Sequence, residues 1–428
     1  MYDIKAVRAR QIFDSRSIPT IECEVKTGFG RFTASVPSGT STGAREAVEL
    51  RDGGGELAGN SVHHAVQNVN EILSVVAKGK DCREQKEIDD LLIAEDGTEN
   101  KSKLGANALL AVSLAVARSG AVASNKELFN YLADMVGKKP IIPVPALNVI
   151  NGGAHASNEL PFQEYQILPL KFKSFNEALT AGVEVYQKLK ENLLKKYGKS
   201  AINVGFEGGF APQVSKIETP LDEISKALES TNHVDEFALA MDVAANAFSK
   251  HQDDGKITYA VEGHTLTSEQ LIAEYGELIK AYRIVSIEDP FDETHLSAWE
   301  EFNKKFGKRL QIVADDLTVS QESIVSEMIE NKRANALLLK VNQVGTLSGA
   351  LDSAKLALSS NWNVQVGNRS GETNDCFIAD LAIGLGCGQM KSGAPCRGER
   401  LAKYNHLLRL EEEFSLAYSG KKSFPNFE

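Results

Sequence analysis

The sequence predicts an α/β protein in which an α+β N-terminal cap domain precedes a β/α barrel. The chain has 428 residues, which is long for a single hydrophobic core. Strand-like alternation followed by helical patterns occupies the first part of the chain. In the remainder, short apolar runs alternate with helical segments, a pattern typical of a barrel with parallel strands.

The predicted cap domain begins with two strand-like stretches, DIKAVRARQIFDS and TIECEVKTGFGRFTASVPSG. The segment TGFGR within the second stretch predicts a hairpin turn. Helical patterns follow from about Arg45 to Met135. The segment GKKPIIPVPALNVI then combines lysines and prolines with a new β-type run. We therefore predict an N-terminal domain over residues 1–138 and a C-terminal domain over residues 139–428.

The predicted barrel domain contains repeated apolar runs separated by helical segments such as FNEALTAGVEVYQKLKENLLKKY and SEQLIAEYGELIKAY. The predicted strands are VPALNVI, YQILP, AINVG, ALAMDVA, RIVSIED, QIVADD, ALLLKV, NVQVG and GCGQMK. Their number fits the eight strands of a β/α barrel with one run to spare.

Composition excludes several classes of function. The net charge of -11 and the pI near 5.4 argue against a nucleic-acid-binding surface. The longest uncharged apolar stretch, Gly105–Ala117, is shorter than the ~20 residues that span a bilayer, and the start resembles no secretory signal. The five cysteines show no metal-type spacing. We expect a cytoplasmic protein with free thiols and no nucleic-acid or membrane partner.

Charged residues stand at the ends of several predicted strands. These residues are Asp242, Glu288, Asp315, Lys340 and Lys391. A charge at the end of an apolar run is costly to bury unless it is paired or bound to a metal. One such residue is consistent with a salt bridge at the barrel mouth. Because strand ends of one barrel meet at a single mouth, all of them together predict a functional site.

The predicted site has the composition of a carbanion-forming enzyme. Three carboxylates without cysteine or histidine suit a hard cation that prefers oxygen, of which Mg²⁺ is the commonest. A lysine near a cation and another lysine is pushed toward its neutral form and can act as a base. The proton that needs such help lies α to a carboxylate, because its removal leaves a dianionic enolate. The pattern therefore predicts a lyase or an isomerase.

Longer segments carry a specific resemblance. They are PSGTSTG, INGGAHASN, SIEDPF, ADDLTVS, LLLKVNQVGT, RSGET, FIADLAIGL and GAPCRGERLAKYN. In this order they resemble the signature segments of the enolase family, and the likeness runs from about Ile4 to Glu413. That family dehydrates 2-phosphoglycerate to phosphoenolpyruvate. The resemblance implies a carbon–oxygen lyase of glycolysis, a small phosphorylated carboxylic acid as substrate, two Mg²⁺ ions and a homodimer.

The resemblance also assigns roles to individual residues. The ligands it implies for the tighter Mg²⁺ are Asp242, Glu288 and Asp315, whereas Asp316 would be a supporting carboxylate. Ser41, in a glycine-containing loop that resembles a mobile lid, would help to hold the second Mg²⁺.

The remaining implied roles concern the substrate. Lys340 resembles the general base, and Lys391 the cation that faces the substrate carboxylate. Arg369 and Ser370 resemble the phosphate-binding pair, since an arginine fork matches phosphate oxygens. The acid side, where the departing hydroxide is protonated, would comprise Glu164, Glu207 and His155.

The chain departs from the family pattern at a few positions. Phe206 stands where an aspartate is usual, and Gly367 and Asn368 replace serine and histidine. Ser17 and Ile18 replace glycine and asparagine in DSRSIPT.

Because Phe206 and Asn368 belong to the acid side, three interpretations remain open. The first is ordinary enolase chemistry with tolerated drift. The second is altered leaving-group chemistry on a related phosphorylated or phosphonylated acid, as in carboxyphosphonoenolpyruvate synthase of phosphonate antibiotic pathways. The third is a non-catalytic paralogue with a binding role.

Overall fold

The computed structural model describes residues 1–40 and 43–424. The predicted metal-binding residue Ser41 lies outside these described residues. In the N-terminal part, an antiparallel sheet has the strand order β1–β2–β3. Its strands are β1 (Ala6–Phe13), β2 (Pro19–Lys26) and β3 (Arg31–Ser35). The predicted hairpin turn is confirmed, because the Thr27 N–H donates to the Gly30 carbonyl at 2.9 Å between β2 and β3.

Helices cover this sheet on one side. They are α1 (His63–Asn68), α2 (Ser74–Ala77), α3 (Gln85–Asp96), α4 (Ala106–Ala123) and α5 (Leu128–Val136), with a π-helical turn at Val69–Leu73 joining α1 to α2. The alanine-rich α4 packs against β2 and β3. By length and composition alone, α4 could cross a membrane, but nearly all of its residues are buried inside the protein. Its apolarity therefore fits a core helix of the cap.

The rest of the chain supplies the barrel and a small hairpin sheet. Its strands are β4 (Val144–Asn151), β5 (Glu164–Pro169), β6 (Phe237–Asp242), β7 (Ser249–His251), β8 (Ile257–Val261), β9 (His264–Leu266), β10 (Ile284–Glu288), β11 (Gln311–Ala314), β12 (Ala336–Leu339), β13 (Asn363–Gly367) and β14 (Gln389–Lys391). The closed barrel has the order β10–β11–β12–β13–β14–β4–β5–β6, and β7–β9 form a separate antiparallel sheet.

Helices surround the barrel. They are α6 (Phe175–Tyr197), α7 (Glu218–Ser230), α8 (Ser268–Ala281), α9 (Leu296–Phe306), α10 (Glu322–Glu330), α11 (Val341–Val344), α12 (Leu347–Ser359), α13 (Phe377–Leu385) and α14 (Gly398–Phe414). Most bury one apolar stripe against the strands, as the amphipathic patterns predict.

Strand β5 differs from the expected all-parallel pattern. It is antiparallel to both β4 and β6, whereas the other barrel pairs are parallel. The link from β4 to β5 contains only a short 3₁₀ turn, Gly153–His155, and no crossover helix. Because a parallel pair needs such a crossover, the short link allows only an antiparallel neighbour. The N-terminal end of β5 therefore lies at the same mouth as the C-terminal ends of the other strands.

The prediction of a barrel strand at AINVG is wrong. This segment forms a 3₁₀ turn, Lys199–Ile202, and then a loop in which Val204 bridges Phe210. A Cβ on Gly205 would lie 2.4 Å from the His155 carbonyl oxygen, and one on Gly209 would lie 2.8 Å from the Asn151 side chain. The glycines let the loop fold tightly over the barrel mouth, with Glu207 at its tip.

Candidate active site

The barrel topology brings the predicted carboxylates to one mouth. Asp242 and Glu288 end β6 and β10 and are paired in register, and Asp315 directly follows β11. Glu164 begins the reversed strand β5 and pairs with Asp242. All four are at most 6% exposed. These residues therefore form one buried cluster at the mouth. Glu164 joins it because β5 is reversed, and the others join it because their strands are parallel.

The Lys391 ammonium group, at the end of β14, lies at the centre of this cluster. Its Nζ donates to Glu288 Oε1 and Oε2 at 2.7 and 2.8 Å, to Asp242 Oδ2 at 3.1 Å and to Glu164 Oε1 at 3.3 Å. Burial alone would lower the pKa of Lys391, but these carboxylates raise it well above its ordinary value. The ammonium form of Lys391 is therefore favoured in this arrangement.

Lys340 follows β12 and forms a second buried pair. Its Nζ donates to Asp315 Oδ2, and the Gln343 amide donates to Asp315 Oδ1 at 2.9 Å. Burial would lower the pKa of Lys340, but the charge of Asp315 outweighs it and raises the pKa. In this arrangement the ammonium form of Lys340 is favoured. A proton acceptor at this position requires that Asp315 be engaged by another cation.

The acid side forms around Glu207. The Asn148 amide donates to Glu207 Oε2 at 3.0 Å, and the Asn368 amide donates to Glu207 Oε1 at 2.8 Å. His155 Nδ1 lies 3.8 Å from Glu207 Oε2 and 4.0 Å from Glu164 Oε1, beyond hydrogen-bond distance. The three acid-side residues predicted from the sequence are thus adjacent, and two asparagines hold one of them.

The two acid-side glutamates have opposite electrostatic environments. Burial and the charge of Glu207 raise the pKa of Glu164 well above its ordinary value. Burial would also raise the pKa of Glu207, but the positive charges of protonated His155, Arg400 and Lys391, together with the Asn148 amide, hold it below the ordinary range. Burial lowers the pKa of His155. Glu164 is therefore the better proton donor of the pair and Glu207 the better acceptor.

The predicted phosphate-binding residues lie between barrel and cap. Arg369 forms a fork with Glu46: NH1 lies 3.0 Å from Oε2 and NH2 lies 3.2 Å from Oε1. Ser370 Oγ accepts the Thr40 backbone N–H at 2.8 Å, and Arg16 donates to it at 3.3 Å. A carboxylate of the cap thus occupies the guanidinium fork for which the sequence predicts a phosphate.

Some residues of the site were not found by sequence reasoning. Arg400 is fully buried and donates to the carbonyl oxygens of Arg369, Phe206 and Ser370 at 2.7, 3.0 and 2.7 Å. Glu46 and Asn148 were missed as well. The signal for Arg400 was present, since it lies inside the family-like segment GAPCRGERLAKYN, whereas Asn148 lies in the predicted strand VPALNVI, two residues before INGGAHASN.

Phe206 and Glu207 are neighbours in different environments. Phe206 is 37% exposed and lies with His155, Arg16 and Arg397 along a cleft of about 520 Å³, whereas Glu207 is buried. The Phe206 ring packs edge-on against His155, with centroids 6.5 Å apart. The bulky side chain therefore replaces a charge in the cleft and gives the histidine an apolar neighbour.

The other departures have local consequences. A Cβ on Gly367 would lie 3.1–3.3 Å from atoms of the Leu338 side chain, so a serine here requires Leu338 to shift by a few tenths of an ångström. Ser17 has φ of 62°, a left-handed conformation that glycine adopts at less cost. Nothing in the structure explains Ile18.

The donor set fits Mg²⁺ in its chemistry. The buried carboxyl groups of Glu164, Asp242, Glu288 and Asp315 outnumber the two lysine ammonium groups and offer only oxygen atoms as ligands. Within residues 1–40 and 43–424, the compact groups of ligand atoms are His155–Glu164–Glu207 and Asp289–Asp315–Asp316. The predicted trio is not one of these compact groups: Lys391 bridges Asp242 and Glu288, and Lys340 pairs with Asp315. An ion bound to the trio has to take oxygens that now accept from Lys391 and Lys340.

The fold is a β/α barrel, and its mouth holds buried acidic and lysine side chains. This arrangement is that of a barrel enzyme. Two family models match the chain: "Enolase, N-terminal domain" over residues 4–132, and "Enolase, C-terminal TIM barrel domain" over residues 139–426. A curated relative, "Enolase" of Solanum lycopersicum, is 46% identical, with 96% of each chain covered. The chain therefore belongs to the enolase family of carbon–oxygen lyases.

Proposed function

We propose that this protein catalyses the Mg²⁺-dependent, reversible dehydration of 2-phosphoglycerate to phosphoenolpyruvate. The observation that carries the proposal is the convergence of Lys340 and Lys391 with the carboxylates of Asp242, Glu288 and Asp315 at one buried mouth. The relationship to a curated enolase supports the same reaction. Burying these lysine and carboxylate charges is costly, and a non-catalytic role would not account for that cost.

Each side of the site has a proposed task. Lys340 removes the proton from the carbon α to the substrate carboxylate, and Lys391 holds that carboxylate. Arg369 and Ser370 bind the phosphate. The bond between the β-carbon and its hydroxyl oxygen then breaks, and the oxygen leaves as water with a proton from the acid side, where Glu164, Glu207 and His155 lie. The reverse direction uses the same groups.

Mg²⁺ would be held by Asp242, Glu288 and Asp315, with Ser41 contributing to a second ion. Bound there, the metal would stabilise the negative charge that develops on the substrate carboxylate. The donor chemistry supports this assignment because every proposed ligand offers oxygen.

The wider organisation of the protein is also a proposal. We propose that residues 1–138 act as the cap and lid, that residues 139–428 form the catalytic barrel, and that the protein is a cytoplasmic homodimer. Direct contact between the two parts supports the role of a cap: Asp89 of α3 accepts the Ser348 N–H of α12 at 2.9 Å.

Turnover of 2-phosphoglycerate tests the proposed function. We expect phosphoenolpyruvate to form in the presence of Mg²⁺ and its formation to stop when EDTA is added. Binding of Mg²⁺ and phosphoenolpyruvate without turnover would instead favour the altered reaction on a phosphonylated acid. Failure to bind either ligand would favour the non-catalytic role.

Reversion of the acid-side departures distinguishes drift from altered chemistry. We expect the double substitution Phe206→Asp with Asn368→His to change kcat for 2-phosphoglycerate by less than about tenfold. The reason is that Lys340 and Lys391 keep their partners in both forms, and a neutral histidine at position 368 can still donate to Glu207. The measurement is steady-state kinetics on wild type and double variant. A large gain of enolase activity, at the expense of a different native reaction, would contradict the drift interpretation.

Glu46 competes with the substrate phosphate for Arg369. Because its fork has to open before phosphate can bind, we predict that Glu46→Gln lowers the Kd for inorganic phosphate about tenfold. Titration calorimetry measures this change. Glu49→Gln is the matched control, since Glu49 pairs with Arg51 in the same segment. An unchanged or weakened affinity in Glu46→Gln would show that Glu46 does not occupy the phosphate site.

A further inference from the structure

The orientation of the Asn368 amide is fixed by two acceptors. Its Nδ2 donates to Glu207 Oε1 at 2.8 Å and to the Arg369 carbonyl oxygen at 3.0 Å. A carbonyl oxygen accepts and never donates, so the nitrogen and not the oxygen of the amide must face these partners. The residue is 2% exposed, and its Oδ1 has no hydrogen-bond partner among the described residues.

Asn148 repeats this arrangement on the other oxygen of Glu207. Its Nδ2 donates to Glu207 Oε2 at 3.0 Å, while its buried Oδ1 has no partner within the part of the chain that the structure describes. Both Glu207 oxygens therefore receive an N–H donor. Donors on both oxygens favour the ionised form and fix the plane of the carboxylate. Glu207 is held as an acceptor of hydrogen bonds.

The unpartnered atoms indicate what the acid side binds. Buried polar atoms in native proteins nearly always have a hydrogen-bond partner, and leaving one unsatisfied is costly. Two amide oxygens on the residues that hold one carboxylate therefore call for a donor from a ligand or from water. His155 Nδ1 and Ser392 Oγ, also buried, lack partners in the described structure too. A hydroxyl group can donate to these acceptors, whereas an ionised carboxylate or phosphonate only accepts.

From these contacts we propose that Asn368 is a specificity-determining residue: it positions Glu207 as an acceptor and offers its own carbonyl oxygen to a hydroxyl of the substrate. The substrate class is thus an acid with a neutral hydroxyl on the leaving-group side, and not one with a second anionic group there. The identity of this hydroxyl rests on the proposed function; the positioning of Glu207 does not. The family usually has histidine at this position. The asparagine amide supplies an N–H donor and a carbonyl acceptor at once, and it has no proton to gain or lose near neutral pH.

The first test measures the ionisation of Glu207 directly. The measurement is infrared spectroscopy of the Mg²⁺-loaded protein. A band of a protonated carboxyl group is assigned to Glu207 if it disappears when Glu207→Gln is added to the same protein. The other titratable or charged groups around Glu207 are His155, Arg400, Lys391 and Glu164. In wild type we expect no such band between pH 5 and 8. In Asn368→Asp, two carboxylates must share a proton, and the band appears at neutral pH.

The control is Asn363→Asp. Asn363 begins β13, whereas Asn368 directly follows the other end of that strand, and the Asn363 amide donates to Gln311 Oε1 at 2.7 Å. We expect the Glu207 band to remain absent in this variant. Its absence in Asn368→Asp as well would overturn the positioning role. Asn368→Ala provides a second test if the aspartate variant does not fold, because loss of one donor should also raise the pH at which the band appears.

The second test uses kinetics with 2-phosphoglycerate. We expect Asn368→Ala to lower kcat roughly 10–100-fold with little change in KM. We expect kcat of Asn368→His to rise as the pH passes about 6.5, the ordinary pKa of histidine, since only the neutral ring can both donate and accept. Wild type should show no such rise. Wild-type kcat in Asn368→Ala, or a flat profile in Asn368→His, would overturn the contact with the hydroxyl.

The two tests fail separately. If wild type does not turn over 2-phosphoglycerate but Asn368→Asp shows the Glu207 band, the proposed function is wrong and the positioning role stands. If turnover is normal and the band does not respond, the enzyme is an enolase in which Asn368 has no such role.

Discussion

Replacement of Lys340 by alanine is expected to lower kcat on 2-phosphoglycerate by roughly 10³-fold. Lys340 is the proposed proton acceptor, and its side chain pairs with Asp315 at the mouth of the barrel. Because Arg369, Ser370 and Lys391 remain, the Kd for phosphoenolpyruvate should change only a few-fold. Steady-state kinetics and ligand titration measure the two quantities.

Lys355→Ala is the matched control for this prediction. Lys355 is a half-exposed lysine on α12 that pairs with Asp352, away from the barrel mouth. Its removal should leave kcat unchanged. Substantial turnover in Lys340→Ala, or an equal loss in both variants, would contradict the assignment of Lys340 as base.

Replacement of Lys391 by methionine is expected to cost ~3–5 kcal/mol of unfolding free energy in metal-free buffer. The side chain neutralises the buried carboxylates of Glu164, Asp242 and Glu288, which would otherwise face one another uncompensated. Added Mg²⁺ should restore part of the loss, since the ion supplies positive charge to the same oxygens. Urea unfolding with and without Mg²⁺ measures both effects.

The penalty should grow with pH. Burial already raises the pKa of Glu164 and of Glu288 well above their ordinary values. A carboxyl group whose folded pKa exceeds its unfolded pKa binds more protons when folded, so stability falls as the pH rises between these two values. Without Lys391 the folded pKa values rise further. Unfolding free energies at pH 5 and pH 8 should therefore differ more in Lys391→Met than in wild type.

Lys226→Met is the control for the stability measurement. Lys226 pairs with Glu223, but its side chain is 53% exposed, and such pairs contribute only ~0–1 kcal/mol. A loss in Lys391→Met no greater than in Lys226→Met would show that Lys391 does not neutralise the cluster.

Much of the fold followed from sequence patterns because the patterns have a direct physical cause. Alternating apolar runs and amphipathic helices predict a barrel, and barrel geometry brings Asp242, Glu288 and Asp315 together at strand ends. The reversal of β5 was not predicted, because a strand's composition does not record its direction. The run AINVG was apolar enough for a strand, but the close approach of Gly205 to His155 turns it into a loop.

The site was predicted less completely than the fold. The barrel lysines and acids are single charges at the ends of apolar runs, and these are visible in a sequence. Glu46, Asn148 and Arg400 act through partners 30 or more residues away in the chain, as in the pairs Asn148–Glu207 and Arg400–Ser370. Such pairs have no local pattern. The sequence shows only that Phe206 stands where an aspartate is usual; in the structure its ring lines a cleft and packs on His155.

Hydrogen exchange at the α-carbon of 2-phosphoglycerate tests the central claim most directly. The measurement follows loss of deuterium from the deuterated α-carbon into water, by NMR, with Mg²⁺ present. We predict exchange and phosphoenolpyruvate formation in wild type, exchange with little product in Glu207→Gln, and neither in Lys340→Ala. Absence of exchange in wild type with 2-phosphoglycerate bound would contradict proton abstraction by Lys340, and with it the proposed reaction.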